Sequence, residues 1–200
     1  MNKRNFQTMA AEAAPHRRAA MARVRAMSGQ DVAAVLRIQS ACYAPSMVEA
    51  EETIRQRLRE FPGTAWVAQD EQGICGYLVA YPSRVGNITP LGATFGKTDA
   101  ADTLYLHDLA VAPRAKGQGV AKALAGCALE QARLRGLRFS ALVSVQDSRA
   151  FWRALGYETW DALPPQQQAC LLTYEGQACY MVKRLRAGPA QRDDAQARTA

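Results

Sequence analysis

Hydrophobic and polar positions between Ala22 and Leu185 follow first a strand period, then a helical one, then strands again. ARVRAM, Ala22 to Met27, alternates at every second position and predicts a first strand. Ser28, with Asp31 three residues on, predicts a helix start, and VAAVLRIQSACY continues at helical spacing until Pro45 breaks it. EAEETIRQRLREF, Glu49 to Phe61, has acids at its start and bases toward its end, as the helix macrodipole favours. After Pro62 and Gly63 the period shortens: TAWVAQD and ICGYLVAYPSR, joined by EQG, predict a hairpin. Val85 to Asp102, VGNITPLGATFGKTDAAD, is longer than most connections and is a candidate functional loop.

TLYLHDLAVA, Thr103 to Ala112, is a long apolar strand. It leads into a helix whose apolar face reads Val120, Leu124, Cys127 and Leu134, with Gly136 as its C-terminal cap. LRFSALVSV follows as a short apolar strand, so this strand, helix and strand predict a right-handed parallel crossover. SRAFWRALGYE predicts a short helix capped by Ser148 and closed by Gly156, and ACYMVKRL, Ala178 to Leu185, a last strand. The order βααβββαβαβ gives an α/β chain of the α+β type, with a mixed sheet covered by helices.

With no repeat or internal linker, residues 21–186 are expected to form a single domain. Residues 1–20 lack the apolar core of a secretory signal and are expected to be a disordered arm. The polar, alanine-rich tail, 187–200, is expected to be disordered too. No apolar run approaches the roughly 20 residues that span a bilayer, so no membrane partner is expected. The five cysteines form no C-x-x-C pair and are odd in number, which argues against a disulfide framework or a zinc site. They read as reduced thiols of a cytoplasmic protein, and no metal is expected. The net charge of +7 owes part of its excess to Lys3, Arg4, Arg17 and Arg18 in the arm. What remains is too sparse for a nucleic-acid stripe but suits an anionic cofactor.

VAPRAKGQGVAKAL, Val111 to Leu124, sets two glycines where a helix begins. Each glycine costs a helix about 1 kcal/mol relative to alanine, so the pair answers a need for bare backbone. A strand ending in glycines and opening a helix presents unpaired N–H groups to an anion. The P-loop string is absent, and Lys122 stands where a dinucleotide fingerprint needs its third glycine. Arg114, Lys116 and Lys122 cluster around the turn.

DLAVAPRAKGQGVAKAL resembles motif A of the GNAT superfamily of N-acetyltransferases, V-x-P-x-x-[RQ]-G-x-G-x-[GA]-x-x-L. Val111, Pro113, Gly117, Gly119, Ala121 and Leu124 match, and Lys116 replaces the usual Arg or Gln. FWRALGY, Phe151 to Tyr157, is similar to the family's motif B, F-Y-x-x-x-G-F. The resemblance spans about Ala22 to Leu185. It implies a mostly antiparallel sheet with helices on both faces and a splayed parallel strand pair. It also implies acetyl-CoA as cosubstrate and an amine acceptor, with a homodimer as a further possibility. The pyrophosphate would rest on the main chain from Gly117 through Gln118, Gly119, Val120 and Ala121 to Lys122, beside Lys116. The pantetheine arm would lie along Leu109, Ala110 and Val111, with Gln146 near it and Trp152 as a wall.

In the family the amine attacks the thioester directly. An alkylamine with a pKa near 10.4 is mostly protonated at neutral pH, so a proton acceptor is needed. His107 and Asp108 are the candidates, with a water relay as the alternative; their side chains should face opposite sides of the sheet unless a bulge intervenes. His107 is the only histidine outside the arm. Trp152 replaces the tyrosine that commonly serves the family as acid, so Ser148, Tyr157 or Tyr105 becomes the candidate donor to the departing thiolate, or the thiolate leaves unassisted. Acceptor choice would fall to Tyr43 to Val48, Val85 to Asp102 and LPPQQQACLLTY, stretches poor in acids and so unsuited to a polycation. A non-catalytic acyl-CoA sensor and a protein N-terminal or lysine acetyltransferase remain as alternatives.

Overall fold

The computed structural model describes residues 22–90, 93–174 and 176–185. The predicted arm, 1–20, and tail, 187–200, lie outside the described residues. Among the described residues seven strands form one sheet: β1 (Arg23–Ala26), β2 (Ala65–Asp70), β3 (Gly73–Ser83), β4 (Thr103–Val111), β5 (Phe139–Ser144), β6 (Glu158–Thr159) and β7 (Cys179–Arg184). Their order is β1-β2-β3-β4-β5-β7-β6, and only β4 and β5 pair in parallel. Among the described residues five α-helices accompany them: α1 (Val32–Cys42), α2 (Glu51–Glu60), α3 (Val120–Leu134), α4 (Arg149–Ala154) and α5 (Pro165–Leu171). Among the described residues no helix is long and apolar enough to cross a membrane.

Strand alternation divides the core in two. Tyr77, Val79 and Tyr81 of β3 pack toward α1 and α2, whereas Leu78 and Ala80 pack toward α3. The predicted start near Ser28 is present: its N–H and hydroxyl both donate to the Asp31 carboxylate, at 2.8 and 2.9 Å. Arg25 grips the same carboxylate with two bonds of 2.7 Å, and its guanidinium holds the Asp31 carboxyl at about 2.

The face of α3 differs from the periodic reading. Val120, Leu124, Ala125, Ala128, Leu129 and Ala132 are buried, while Leu134 is 70% exposed and Cys127 half-buried. The reason is helical phase: at about 3.6 residues per turn, Leu134 and Cys127 fall off the stripe set by Val120, Leu124, Ala128 and Ala132. A Cβ on Gly76 of β3 would stand 2.9 Å from Val120 Cγ1 and 3.2 Å from Leu124 Cδ1, so α3 packs closely on the sheet at this glycine. Leu124 and Leu129 share the contact with Ala125, Ala128 and Ala132, and Leu134 is turned out at the end. Two short elements, β6 and α5, escape prediction: one is two residues long, and the other opens on Pro164 and Pro165.

The close approach yields a test. Gly76→Ala should lower stability by about 1–3 kcal/mol, the usual cost of overpacking, read as a fall in urea midpoint at unchanged slope. An unchanged midpoint would contradict the packing described.

Candidate functional site

β4 and β5 stay in register only from Thr103–Phe139 to Leu106–Leu142. Beyond that, β4 runs to Val111 and β5 to Ser144 without pairing to each other. A cleft of about 270 Å³ opens between them. β4 remains zipped to β3 as far as Gly76–Val111, so its free edge faces the cleft and is held straight from behind. Leu109, Ala110 and Val111 line one wall, while Gln146 and Trp152 line the other. Trp152 is buried and packs edge-on to Phe151 and Tyr157, as a rigid wall.

At the mouth of the cleft lies the glycine turn. Gly117 and Gly119 have φ of +77° and +80°, the left-handed region that glycine enters freely. A Cβ at either position would meet nothing within 4 Å, so the turn is open to solvent and demands glycine by conformation alone. The N–H groups of Val120, Ala121 and Lys122 sit in the first turn of α3, where helix geometry supplies no carbonyl partner. Lys116 and Ala121 line the cleft as well. The Val120 side chain belongs to the core, which leaves its main chain for a ligand. Gln118 is exposed and its amide donates to the Arg114 carbonyl at 3.0 Å. Of the three basic residues grouped in the sequence, Arg114 is engaged elsewhere: it forks onto Asp70 of β2. Lys116 and Lys122 remain exposed beside the turn.

Gln146 and Asp147 also hold positive φ, +49° and +58°, which non-glycine residues adopt at a cost. This strained corner turns β5 into α4 and keeps Gln146 on the cleft. Ser148 lines the cleft too, but it is no side-chain cap: its hydroxyl donates to the Val145 carbonyl at 2.7 Å and pairs with Ser144 at 3.0 Å.

β4 carries a bulge. Val79 pairs with Asp108 and Ala80 with Leu106, so His107 is an extra residue in the ladder. The bulge brings the side chains of His107 and Asp108 to one face, that of α1 and α2, and both line the cleft. Asp108 accepts from Tyr43 Oη and Tyr77 Oη at 2.6 Å each and from Gln39 Nε2 at 3.1 Å. Burial pushes its carboxyl up, and these donors only partly counter it. His107 Nε2 stands 3.4 Å from Glu49 Oε1, while Nδ1 is buried without a protein partner. Glu49 also binds Arg57, and its N–H donates to Gln39 Oε1 at 3.0 Å. Burial alone would raise the Glu49 carboxyl, but His107 and Arg57 outweigh it and hold the carboxyl at about 2.

Tyr157 is tied to Ser140 at 2.7 Å in the core beneath α3, and Tyr105 is buried on the opposite face beside His107. Neither lines the cleft. Glu49, Gln39, Tyr77 and Arg57 carry no local signal in the sequence, because each meets its partner only through the fold.

Residues 32–157 match the acetyltransferase (GNAT) family. Ard1 from Thermoplasma volcanium is similar with a TM-score of 0.64 and 18% identity, over 84% of this chain and 99% of that one. A phosphinothricin acetyltransferase from Sinorhizobium meliloti, in complex with AcCoA, is similar at 0.61 and 20% identity, over 84% and 91%. The GNAT-like decarboxylase GphF, in complex with isobutyryl-CoA, is similar at 0.65 and 18% identity, over 82% and 100%. At such identities these likenesses concern the fold. No curated protein sequence matches the chain.

The ion pairs carry a pH dependence of known sign. Glu49 titrates at about 2 in the fold against an ordinary 4.5, so the charged form favours the folded state. Its contribution is complete above pH 4.5 and fades as pH falls toward 2, worth about 3 kcal/mol in all. Glu49→Gln should therefore lower stability at pH 7 and flatten the acid limb of a stability profile. Equal acid sensitivity in both proteins would refute the pairing.

Proposed function

The chain belongs to the GNAT acetyltransferase family, and on that premise we propose that this acyl-CoA-dependent acetyltransferase moves the acetyl group of acetyl-CoA directly to a primary amine of a small molecule or peptide. The observation that carries the reading is the open edge of β4 running straight into the bare glycine turn. An extended arm with two amides suits such an edge, as an added strand would. A diphosphate suits the N–H groups from Gly119 to Lys122, with Lys116 and Lys122 as exposed cations beside it; the Gln118 N–H, expected to join them, donates to the Ala115 carbonyl at 3.4 Å. Acetyl-CoA supplies an activated acyl carbon; the chain must hold it, exclude water and accept the proton that the amine sheds.

His107 is the residue for that proton. With Nε2–H directed at Glu49, the Nδ1 lone pair is without a protein partner, and the His107 residue lines the cleft. A carboxylate that fixes the tautomer of an imidazole base is a recurrent catalytic arrangement. Asp108 is less suited, because three donors already occupy its oxygens. Its part is positioning: through Gln39 and Tyr43 it locks α1 and the start of the next segment against the bulge. The hydroxyl proton of Ser148 goes to Val145, so the thiolate would leave without an acid from that side chain.

Two measurements check this reading. Gly119→Val forces a β-branched residue into φ of +80° and should weaken acetyl-CoA binding about tenfold or more by calorimetry, with secondary structure retained. His107→Ala should lower kcat roughly 10²-fold or more while calorimetric affinity for acetyl-CoA stays unchanged. Full kcat in His107→Ala would move the base elsewhere, and tight binding with no turnover over a broad amine panel would favour a sensor.

A further inference from the structure

Beside the reacting face lies a slot filled by the protein's own ring. Phe95, from the long loop between β3 and β4, stacks on Tyr81 with centroids 4.0 Å apart and planes 20° apart. The Arg57 guanidinium covers its other face at 4.2 Å, and His107 meets its edge at 4.9 Å. Slot and cleft therefore share His107.

Two buried polar atoms around that ring lack protein partners. Arg57 spends Nη1 on Glu49 and Nη2 on the Ala93 carbonyl at 2.9 Å, leaving the Nε–H unused. His107 Nδ1 is unused likewise. A buried polar atom without a partner is costly, and two against one ring call for an explanation. One is a donor; with Nε2–H turned to Glu49, the other is an acceptor.

We propose that Phe95 stands in for the side chain of the acceptor, and that the acceptor is an aromatic α-amino acid in amide or peptide linkage, which displaces it. The ring would enter between Tyr81 and Arg57, the amine would meet His107 Nδ1, and the carbonyl oxygen would take the Arg57 Nε–H. These three groups branch from one short carbon unit, and Tyr81, Arg57 and His107 all stand against the one ring that they would receive. The carbonyl is uncharged because Glu49 already balances Arg57. The inference rests on the acetyl-transfer reading above and names the acceptor for it.

The test compares acetylation of phenylalaninamide, phenethylamine and spermidine by the wild type, Phe95→Ala and Arg57→Lys. Phenylalaninamide should exceed phenethylamine, which lacks the carbonyl, by about tenfold or more in kcat/KM. Phe95→Ala removes the occupant and should lower KM for phenylalaninamide about fivefold, while leaving KM for spermidine in place. Arg57→Lys keeps the charge, loses Nε–H and should bring the two aromatic amines to within about twofold of each other. Phe95→Leu, a milder change, should give an intermediate fall in KM if Phe95→Ala does not fold. Acetylation of the amines with no preference for phenylalaninamide, or with KM unmoved by these changes at Phe95, overturns the slot and leaves acetyl transfer standing. If no amine is turned over, calorimetry with phenylalaninamide on the CoA-saturated protein decides. Binding that tightens in Phe95→Ala keeps the slot and rejects the transfer reading, whereas no binding in either protein overturns the slot.

Discussion

Once β4 parts from β5 after Leu106 and Leu142, every other feature of the site follows. A sheet closed along that line would bury the β4 edge in ladder bonds and leave no cleft. The separation is sustained from three sides. β3 holds the back of β4 up to Val111, the strained corner at Gln146 and Asp147 diverts the chain after β5, and α3 presses on the sheet at Gly76. Small residues make that last contact possible, since Val120 and the alanines of α3 bring the helix N-terminus, and with it the glycine turn, to the mouth of the gap.

The bulge at His107 then sets the chemistry. Without the extra residue, His107 and Asp108 would face opposite sides of the sheet; with it they share one side and meet different partners. Glu49, hydrogen-bonded to His107 and paired with the Arg57 guanidinium, is held ionised at about 2, whereas Asp108, surrounded by neutral donors, is raised by burial. Two carboxyls a few residues' reach from one imidazole thus have opposed tendencies, a common means of separating roles in one site. Glu49 directs the ring, and Asp108 fastens α1 and β3 to the bulge through Gln39, Tyr43 and Tyr77.

Much of this frame could be read from the chain alone. The order of the long elements, the parallel crossover and the mixed sheet follow from period and punctuation, and GQG with its flanking strand and helix points to the anion turn. The failures have physical causes. Leu134 reads as part of the apolar face of α3, but helical phase turns it outward, and Ala125, Ala128 and Ala132 fill the stripe beside Leu124 and Leu129. Arg114 looks like a ligand of the turn in sequence, yet Asp70 on a distant strand claims it. Glu49 reads as a first-turn acid of a helix and is instead the buried partner of Arg57 and His107. Such pairings are set by which strand lies beside which, information that no local spacing contains.

The most direct measurement is a crystal structure with acetyl-CoA bound. The pyrophosphate should lie against the main-chain N–H groups of Gly119 to Lys122 and the pantetheine amides along Leu109 to Val111, with the thioester facing His107. Electron density for the cosubstrate anywhere else, or β4 and β5 zipped together past Leu106 and Leu142, would contradict it.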